Sequence, residues 1–595
     1  MSNAKLSIEP QTYSPTIKKT LTERIRERLA LFEQTDGIEF SRTTWFLFGL
    51  LLLILFLPLL AFPNGADNGL FYVAGQKIFY QGAVPYRDIV DVKPPLIYYL
   101  NAIAIALFGD HPISMRLLDL IAQLVTCWLL IALTRRTTGR DLQAIVAAIL
   151  YALLYIGLNF ANTSQVESFA GLLILPAVWL FLYRRTFVGF IAIGILCGLL
   201  TFMKFTLGIT LAAFLFGDLL LINDSWRIRV RNYAGLSLGF GLIVGLFFLY
   251  LTLFDAYHGF LNMQEFLAGY TGLQWQSLRG SIRLMLQLMP ARLGDEYSLT
   301  MLIATIWGIV QITNGDLHAS LSPNGGETTS KSKVSAAGSI FLRLCTILCF
   351  FLLISIAVEG KWFSYHLLRF FPFGVALASF GLISGIATLL KGKSDRFLWF
   401  VLSSTLLFFV ALGPLSRYAF HYGSTVIMLT SGAKSFDNYY ASQEGKDECA
   451  LWEMREVGDY VQEHRQQGEK LFVSSGVASQ IYLASNYVPD FYVFHAGFII
   501  APFAPTEWRD STVSYLLGER PRFIVLQSVD PISVVTGTNK TSLDLFKEKK
   551  ELWKMFEEEY QVVITTPRLM LYQKMEANTS SSAISSEKTE QKTGG

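Results

Sequence analysis

Residues Trp45–Phe62 form an uncharged apolar stretch, WFLFGLLLLILFLPLLAF, near the start of this 595-residue chain. Its length is close to what an α-helix needs to cross the hydrocarbon core of a bilayer. Residues 1–44 before it are polar and mixed in charge, which does not fit a cleavable signal peptide. We therefore interpret residues 45–62 as an uncleaved signal anchor and the first transmembrane helix.

The rest of the chain repeats this pattern. Hydrophobic residues make up 52% of the sequence and charged residues only 16%, whereas soluble domains carry about 25% charged residues. The net charge of +3 is too small to indicate a nucleic-acid partner. The apolar runs predict a polytopic α-helical membrane protein with eleven spans, at residues 45–62, 117–133, 144–159, 169–183, 187–202, 205–222, 234–254, 299–312, 340–358, 371–390 and 398–412.

Basic residues follow every second predicted span. The positive-inside rule places such loops in the cytoplasm, which puts the N-terminal segment 1–44 there and the residues after about 413 outside. The run Pro95–Phe108 is apolar but short and contains Asn101, so we predict a helix that lies on the membrane interface. The basic loops contain Arg135, Arg136 and Arg140; Arg184 and Arg185; Arg227, Arg229 and Arg231; and Lys391, Lys393 and Arg396.

The predicted membrane module covers residues 45–431, with a long first outer loop at 63–116 and a flexible cytoplasmic loop at 313–337. Residues 432–575 have the pattern of a small extracytoplasmic α/β domain, and the Ser-, Thr- and Lys-rich residues 576–595 favour a disordered tail. Within the α/β domain the pattern predicts a helix at Cys449–Gln467 and strands at Lys470–Ser474, Arg522–Gln527, Tyr560–Thr565 and Leu569–Gln573.

Charged residues collect at the predicted outer ends of the spans. Carboxylates there can accept a proton from an acceptor hydroxyl or hold a divalent cation, and Lys and Arg suit a phosphate group. This combination fits sugar transfer from a sugar phosphate. The candidates are Asp67 and Glu167 as the carboxylates, Lys93, Arg116, Lys204, His366 and Arg369 as phosphate ligands, and Asp88, Asp91 and Tyr86 as supporting residues.

The order of motifs in the first outer loop resembles the GT-C superfamily of membrane glycosyltransferases. An acidic residue, Asp67, follows the first span, and then come G-x-x-P-Y-x-D at Gly82–Asp88, K-P-P from Lys93, L-F-G from Leu107, and S-x-R-L from Ser114. This order is most similar to the branch that contains the protein O-mannosyltransferases and the lipid A aminoarabinose transferase. A second matching patch is Gly360–Arg369.

The resemblance implies an inverting transferase that takes a sugar from a polyprenyl phosphate on the non-cytoplasmic face. It implies that Asp67 is the essential acid of the first loop, that Glu167 is the acid of the second outer loop, and that Lys93 contacts donor phosphate. The family often has an Asp-Glu pair where this chain has Asp67 and Asn68. Parts of the superfamily use a divalent metal, but these residues assign none, and they leave the sugar and the acceptor open.

Two other functions remain compatible with the sequence. A transporter or lipid flippase would need polar groups within several spans, and often an inverted repeat, neither of which is strong here. A catalytically inactive member that acts as a scaffold in the cell envelope is compatible with Asn68 in place of the usual acid.

Overall fold

The computed structural model describes residues 40–273, 283, 287–320, 336–390, 395–411, 413–431, 451–529 and 533–576. Several predictions concern residues outside this set. They are the structure of most of the N-terminal segment 1–44, of most of the loop 313–337, of residues 432–450 and of the tail after residue 576.

Helices dominate the described part of residues 40–431. Each of the eleven predicted spans coincides with a helical stretch, and the helix predicted at Pro95–Phe108 is present as α3. The helices are α1 Arg42–Phe56, α2 Ala66–Gln81, α3 Leu96–Phe108, α4 Ile113–Thr138, α5 Asp141–Gly157, α6 Asn159–Asn162, α7 Ala170–Tyr183, α8 Phe187–Met203, α9 Thr210–Leu221, α10 Trp226–Leu253, α11 Tyr257–Gly272, α12 Leu299–Ser320, α13 Ala336–Glu359, α14 Phe371–Leu390, α15 Asp395–Ala411 and α16 Pro414–Ser431.

Short tighter or wider turns extend several of these helices. A 3-10 turn continues α1 and others precede α7, α9 and α14, where they carry polar residues at the helix ends. The 3-10 turns are Leu57–Ala61, Val166–Phe169, Phe205–Ile209 and Ser364–Arg369, and a π-helical turn, Leu293–Ser298, leads into α12.

The protein is a multi-pass membrane protein. Within the described residues six helical stretches are long and apolar enough to span a bilayer, and a bent pair, Trp399–Ala411 with Pro414–Ile427, would make a seventh. Shorter apolar helices account for α3, α5, α8 and the stretch Phe205–Leu221. The count of eleven spans, the interfacial position of α3 and the orientation of the termini stay predictions.

A small α/β domain follows the helical region. Its sheet has the order β1 (Leu471–Ser474), β2 (Phe523–Gln527), β4 (Leu569–Lys574) and β3 (Tyr560–Thr565). Strands β1 and β2 are parallel, and the other neighbouring pairs are antiparallel. The parallel strands β1 and β2 are buried along their whole length, whereas β4 is buried at only some of its positions. The elements are α17 Leu451–His464, β1 Leu471–Ser474, α18 Ala478–Ala484, α19 Gly497–Ile500, α20 Thr506–Glu519, β2 Phe523–Gln527, α21 Ser533–Thr536, α22 Ser542–Glu548, α23 Lys550–Glu559, β3 Tyr560–Thr565 and β4 Leu569–Lys574.

This domain packs directly on the first loop. The buried Lys77 ammonium on α2 donates hydrogen bonds to the carbonyl oxygens of Pro489 and Phe491, each at 2.9 Å. Around Phe266 on α11, the rings of Phe498, Phe503 and Trp508 form an aromatic cluster. The domain therefore braces the loop that carries most of the predicted site.

Candidate active site

Asp67 lies in the first turn of α2, directly after the Gly65 cap. A carboxylate is stabilised there because the unpaired N–H groups of a helix start carry partial positive charge. Its side chain keeps 37% of its surface exposed, and its Oδ2 lies 3.9 Å from the Lys93 Nζ. The Lys93 ammonium also lies 5.4 Å from the centre of the Phe71 ring. The start of α2 and the K-P-P turn therefore meet in one loose ion pair.

The three supporting residues shape the loop before Lys93. The Asp88 carboxylate accepts a hydrogen bond from the Val84 amide at 2.8 Å, and Tyr86 has a left-handed backbone with φ of 74°. The Tyr98 hydroxyl donates to Asp91 Oδ2 at 2.8 Å. Burial raises the pKa of Asp91, although the Lys93 ammonium acts against this. These residues position the Lys93 turn.

A second cluster surrounds Glu167, whose side chain is fully buried in the turn before α7. Its Oε1 accepts from Lys204 Nζ at 2.5 Å and from Arg369 Nη2 at 2.6 Å. Glu359, at the end of α13, shares both cations, with 2.8 Å to Lys204 and 2.8 Å to Arg369. The His366 Nε2 lies 3.1 Å from Glu359 Oε2. Two carboxylates and two cations thus form one buried network.

The two groups of residues share their neighbours. Burial would lower the pKa of Lys93, but the negative charges around it, first Asp67 and Asp91 and then Glu167, hold that pKa above its usual value. Burial raises the pKa of Tyr365, and the charges of Asp67 and Glu167 raise it further. Both carboxylates therefore act electrostatically on Lys93 and Tyr365, which supports their place in one candidate site.

Arg116, a predicted phosphate ligand, makes its hydrogen bonds within the protein. Its guanidinium is fully buried and donates to Thr163 Oγ1 at 2.9 Å, to Ser164 Oγ at 2.7 Å and to the Phe160 carbonyl oxygen at 2.9 Å. It also donates to the Pro63 carbonyl oxygen. These contacts tie the first loop to the residues before Glu167, so they favour a positioning role over contact with donor phosphate.

Asp119 on α4 fixes the turn that contains Ser164, just before Glu167. Ser164 has a left-handed backbone with φ of 55°, a conformation that costs a non-glycine residue about 1 kcal/mol or more. The Ser164 hydroxyl donates to Asp119 Oδ2 at 2.7 Å, and its amide donates to the Tyr155 hydroxyl at 3.2 Å. These bonds hold the strained turn and, with it, Glu167.

The structure explains why an asparagine, Asn68, follows Asp67 in place of a second acidic residue. Its side-chain Nδ2 donates to the carbonyl oxygens of Phe160 and Thr163 at 3.0 and 3.1 Å, and its Oδ1 accepts from the Gly65 amide. A carboxylate cannot donate either of the first two bonds. The departure from an Asp-Glu pair therefore reflects a buried amide that joins α2 to the second loop.

Replacing Asn68 by aspartate should destabilise the protein by about 3 kcal/mol, because a buried carboxylate would face two carbonyl oxygens that have lost their donor. Thermal unfolding in detergent, followed by tryptophan fluorescence, measures the change. The control is Asn539→Asp, at an exposed position in the α/β domain. Equal unfolding temperatures for the two variants would contradict this role of Asn68.

The sequence did not identify Glu359, Lys361 or His495 as candidate site residues. Glu359 lies one residue beyond the predicted span 340–358. Its position next to the patch Gly360–Arg369 was the sequence signal that could have identified it. Lys361 lies with its ammonium 3.1 Å from the centre of the Tyr270 ring. Burial and the Lys93 charge lower the pKa of Lys361 to about 7. Burial lowers the pKa of His495, from the α/β domain, and the charges of Asp91 and Asp67 act against this. No sequence signal links His495 to the first loop.

The fit of the site to a divalent metal is poor. Ligand atoms of Glu167, Glu359 and His366 lie within 4.8 Å of one another, a spacing that suits a metal ion. However, the cations of Lys204 and Arg369 already contact both carboxylates at 2.8 Å or less. The donor set is therefore neutralised by the protein itself.

Comparison with known proteins agrees with this architecture. Residues 92–251 match the family model described as dolichyl-phosphate-mannose-protein mannosyltransferase. No curated protein sequence matches the chain. The structure is similar to that of ArnT from Cupriavidus metallidurans bound to undecaprenyl phosphate, with 13% identity and a TM-score of 0.53 over 89% of this chain and 98% of that one.

The chain has the fold of the GT-C membrane glycosyltransferases. The apo state of the same ArnT gives a TM-score of 0.50, with 13% identity over 89% of this chain and 98% of that one. A weaker match is the Archaeoglobus fulgidus oligosaccharyltransferase in the apo form, at 12% identity and a TM-score of 0.47 over 81% and 69% of the two chains. The GT-C resemblance predicted from the first loop is confirmed.

Proposed function

We propose that the protein is a glycosyltransferase that moves a sugar from a polyprenyl-phosphate donor to an acceptor hydroxyl on the non-cytoplasmic face of the membrane. The observation that supports this most directly is the state of Asp67. Its side chain is 37% exposed, and the cation with which it pairs, Lys93, is 3.9 Å away. An exposed carboxylate with a loose partner is free to accept a proton.

The cations of the site suit the phosphate of the donor. Lys93 and Lys204 keep 16% and 11% of their side chains exposed beside the two carboxylates, and a lysine ammonium forms strong charge-assisted bonds with phosphate oxygens. The fully buried Arg369 supports the site by holding Glu167. The solved structure of ArnT with bound undecaprenyl phosphate supports a polyprenyl phosphate as the carrier. The partners of this chain would then be a lipid-linked sugar, the bilayer and an acceptor of unknown class.

The proposed step is a single displacement with inversion. The acceptor oxygen forms a bond to the sugar C1 while the bond from C1 to the phosphate oxygen breaks, and its electron pair leaves with the phosphate. Asp67 takes the proton of the acceptor hydroxyl. Glu167 contributes by holding Lys204 and Arg369, and its Oε2 has no hydrogen-bond partner among the described residues. Lys93 stabilises the departing phosphate.

A panel of polyprenyl-phosphate sugars tests this function. Purified protein in detergent is incubated with each donor, with and without candidate acceptors, and the free lipid phosphate is quantified. Release that depends on the acceptor, together with a product of inverted anomeric configuration, supports the proposal. Transport or flipping in liposomes without sugar transfer from any donor would favour the transporter instead.

The affinity for the donor should depend on pH through Lys361. Its pKa is lowered to about 7, so the ammonium is charged below pH 7 and neutral above it. A neutral amine attracts the donor phosphate less, and KM for the donor should therefore rise between pH 7 and 9. In Lys361→Arg, whose side chain stays charged, this rise should disappear. A rise that is equal in both proteins would rule out Lys361 as its cause.

A further inference from the structure

Lys204 occupies an unusual place between two helices of the membrane module. It ends α8 in an extended conformation, and the 3-10 turn Phe205–Ile209 follows at once. Its Nζ lies 2.5 Å from Glu167 Oε1 and 2.8 Å from Glu359 Oε2. The side chain is 11% exposed, so the ammonium bridges two carboxylates in a nearly dry environment.

The orientation of His366 makes this place resemble a metal site. Its Nδ1 lies 2.6 Å from the Lys361 carbonyl oxygen, and because a carbonyl only accepts, Nδ1 carries the hydrogen. In the neutral ring Nε2 then presents a lone pair, 3.1 Å from Glu359 Oε2 and 3.9 Å from Glu167 Oε1. Histidines that bind metals are oriented in the same way, by a hydrogen bond from the other ring nitrogen.

The charges argue against a metal ion in addition to Lys204. Glu167 and Glu359 together carry two negative charges, and Lys204 and Arg369 together carry two positive charges, so the cluster is neutral with His366 uncharged. A divalent ion would leave two uncompensated positive charges in a buried site, which is strongly unfavourable. Without the Lys204 ammonium, the cluster would be negative and would hold three converging ligand atoms.

We propose that the Lys204 ammonium takes the place of a divalent cation, so that the site works without a metal, and that loss of Lys204 turns Glu167, Glu359 and His366 into a metal-binding site. The oxygen Glu167 Oε2, which is buried and lacks a partner among the described residues, offers a further ligand. The statement that the site works without a metal rests on the proposed function. The statement on metal binding does not.

Zinc binding tests directly whether loss of Lys204 creates a metal-binding site. Full-length protein without an affinity tag is treated with chelator, dialysed against Zn²⁺ in detergent, and its metal content determined. Lys204→Ala should gain one Zn²⁺ per chain, with an affinity at least 10-fold higher than that of any site in the wild type. Adding Glu359→Gln to Lys204→Ala should abolish the gain. Lys204→Arg, which keeps the positive charge, is the matched control and should bind no more Zn²⁺ than the wild type.

Two results would overturn the proposal. One is a wild-type protein that binds Zn²⁺ at a site sensitive to Glu359→Gln, and this measurement does not depend on the folding of Lys204→Ala. The other is a folded Lys204→Ala protein that gains no metal. Sugar transfer by the wild type, once a donor is found, should be unchanged by EDTA. If no donor is found, the proposed function fails while the zinc experiment still decides the role of Lys204.

Discussion

Sugar transfer should fall by about 1,000-fold when Asp67 is replaced by asparagine, because a positioned general base contributes roughly 10²- to 10⁴-fold to the rate. Asparagine has nearly the same shape but cannot accept the proton of the acceptor. The initial rate of lipid-phosphate release at saturating donor measures the effect. The unfolding temperature should change little, since the Asp67 side chain is partly exposed and its ion pair is long.

Asp255→Asn is the matched control for this variant. Asp255 is exposed and has a left-handed backbone with φ of 53°, which asparagine tolerates well. The same chemical change therefore occurs outside the site, and activity should stay within twofold of the wild type. Full transfer by Asp67→Asn would remove Asp67 from the mechanism and favour an inactive scaffold or a transporter.

Replacing Arg369 by alanine should lower the free energy of unfolding by about 3–5 kcal/mol. Arg369 is fully buried and contacts Glu167, Glu359 and Ser355 at 2.6 to 2.8 Å. Its loss would leave two buried carboxylates with the single cation of Lys204. Reversible unfolding in mixed micelles measures the change. Adding Glu359→Gln should recover part of the lost stability, because it restores the charge balance.

Arg417 provides a comparison of the same chemistry with more exposure. Its guanidinium is 40% exposed and lies 2.8 Å from Glu296 Oε2. An exposed ion pair contributes about 1 kcal/mol or less, so Arg417→Ala should change stability far less than Arg369→Ala. If the free energy of unfolding falls by the same amount in both variants, the buried ion pairs of Arg369 stabilise the fold no more than an exposed pair does.

The fold was largely predictable from the sequence, for a simple physical reason. A bilayer imposes a minimum apolar length on each span, so stretches such as Trp45–Phe62 and residues 371–390 locate helices without knowledge of their packing. The strands of the α/β domain were predictable from short apolar runs such as Phe523–Gln527, which the sheet buries on both faces. Helix ends were less predictable, because polar residues such as Glu359 prolong a helix beyond its apolar core.

The site was only partly predictable. Charged residues beside apolar helices, such as Lys204 and Arg369, stand out in a sequence, and the structure brings both to Glu167. What sequence could not show is how the buried groups are paired. Arg116 has the right charge for phosphate, yet its guanidinium donates hydrogen bonds to Thr163 and Ser164 of the second loop. The charge of Asp67 acts on His495, and the two residues are more than 400 positions apart in the chain.

The contact between α18 and the start of α2 has a consequence for the synthesis of the protein. Gln480 Nε2 donates to the Gly65 carbonyl oxygen at 2.6 Å across 415 residues of sequence, and Ser479 donates to the Ala66 carbonyl oxygen at 3.2 Å. Asp67 follows these two carbonyls directly. The ribosome makes Asp67 early, but these two contacts can form only after residue 480 has been translated. A nascent or prematurely terminated chain could already be inserted in the bilayer and would still lack the contacts that Ser479 and Gln480 make at the start of α2.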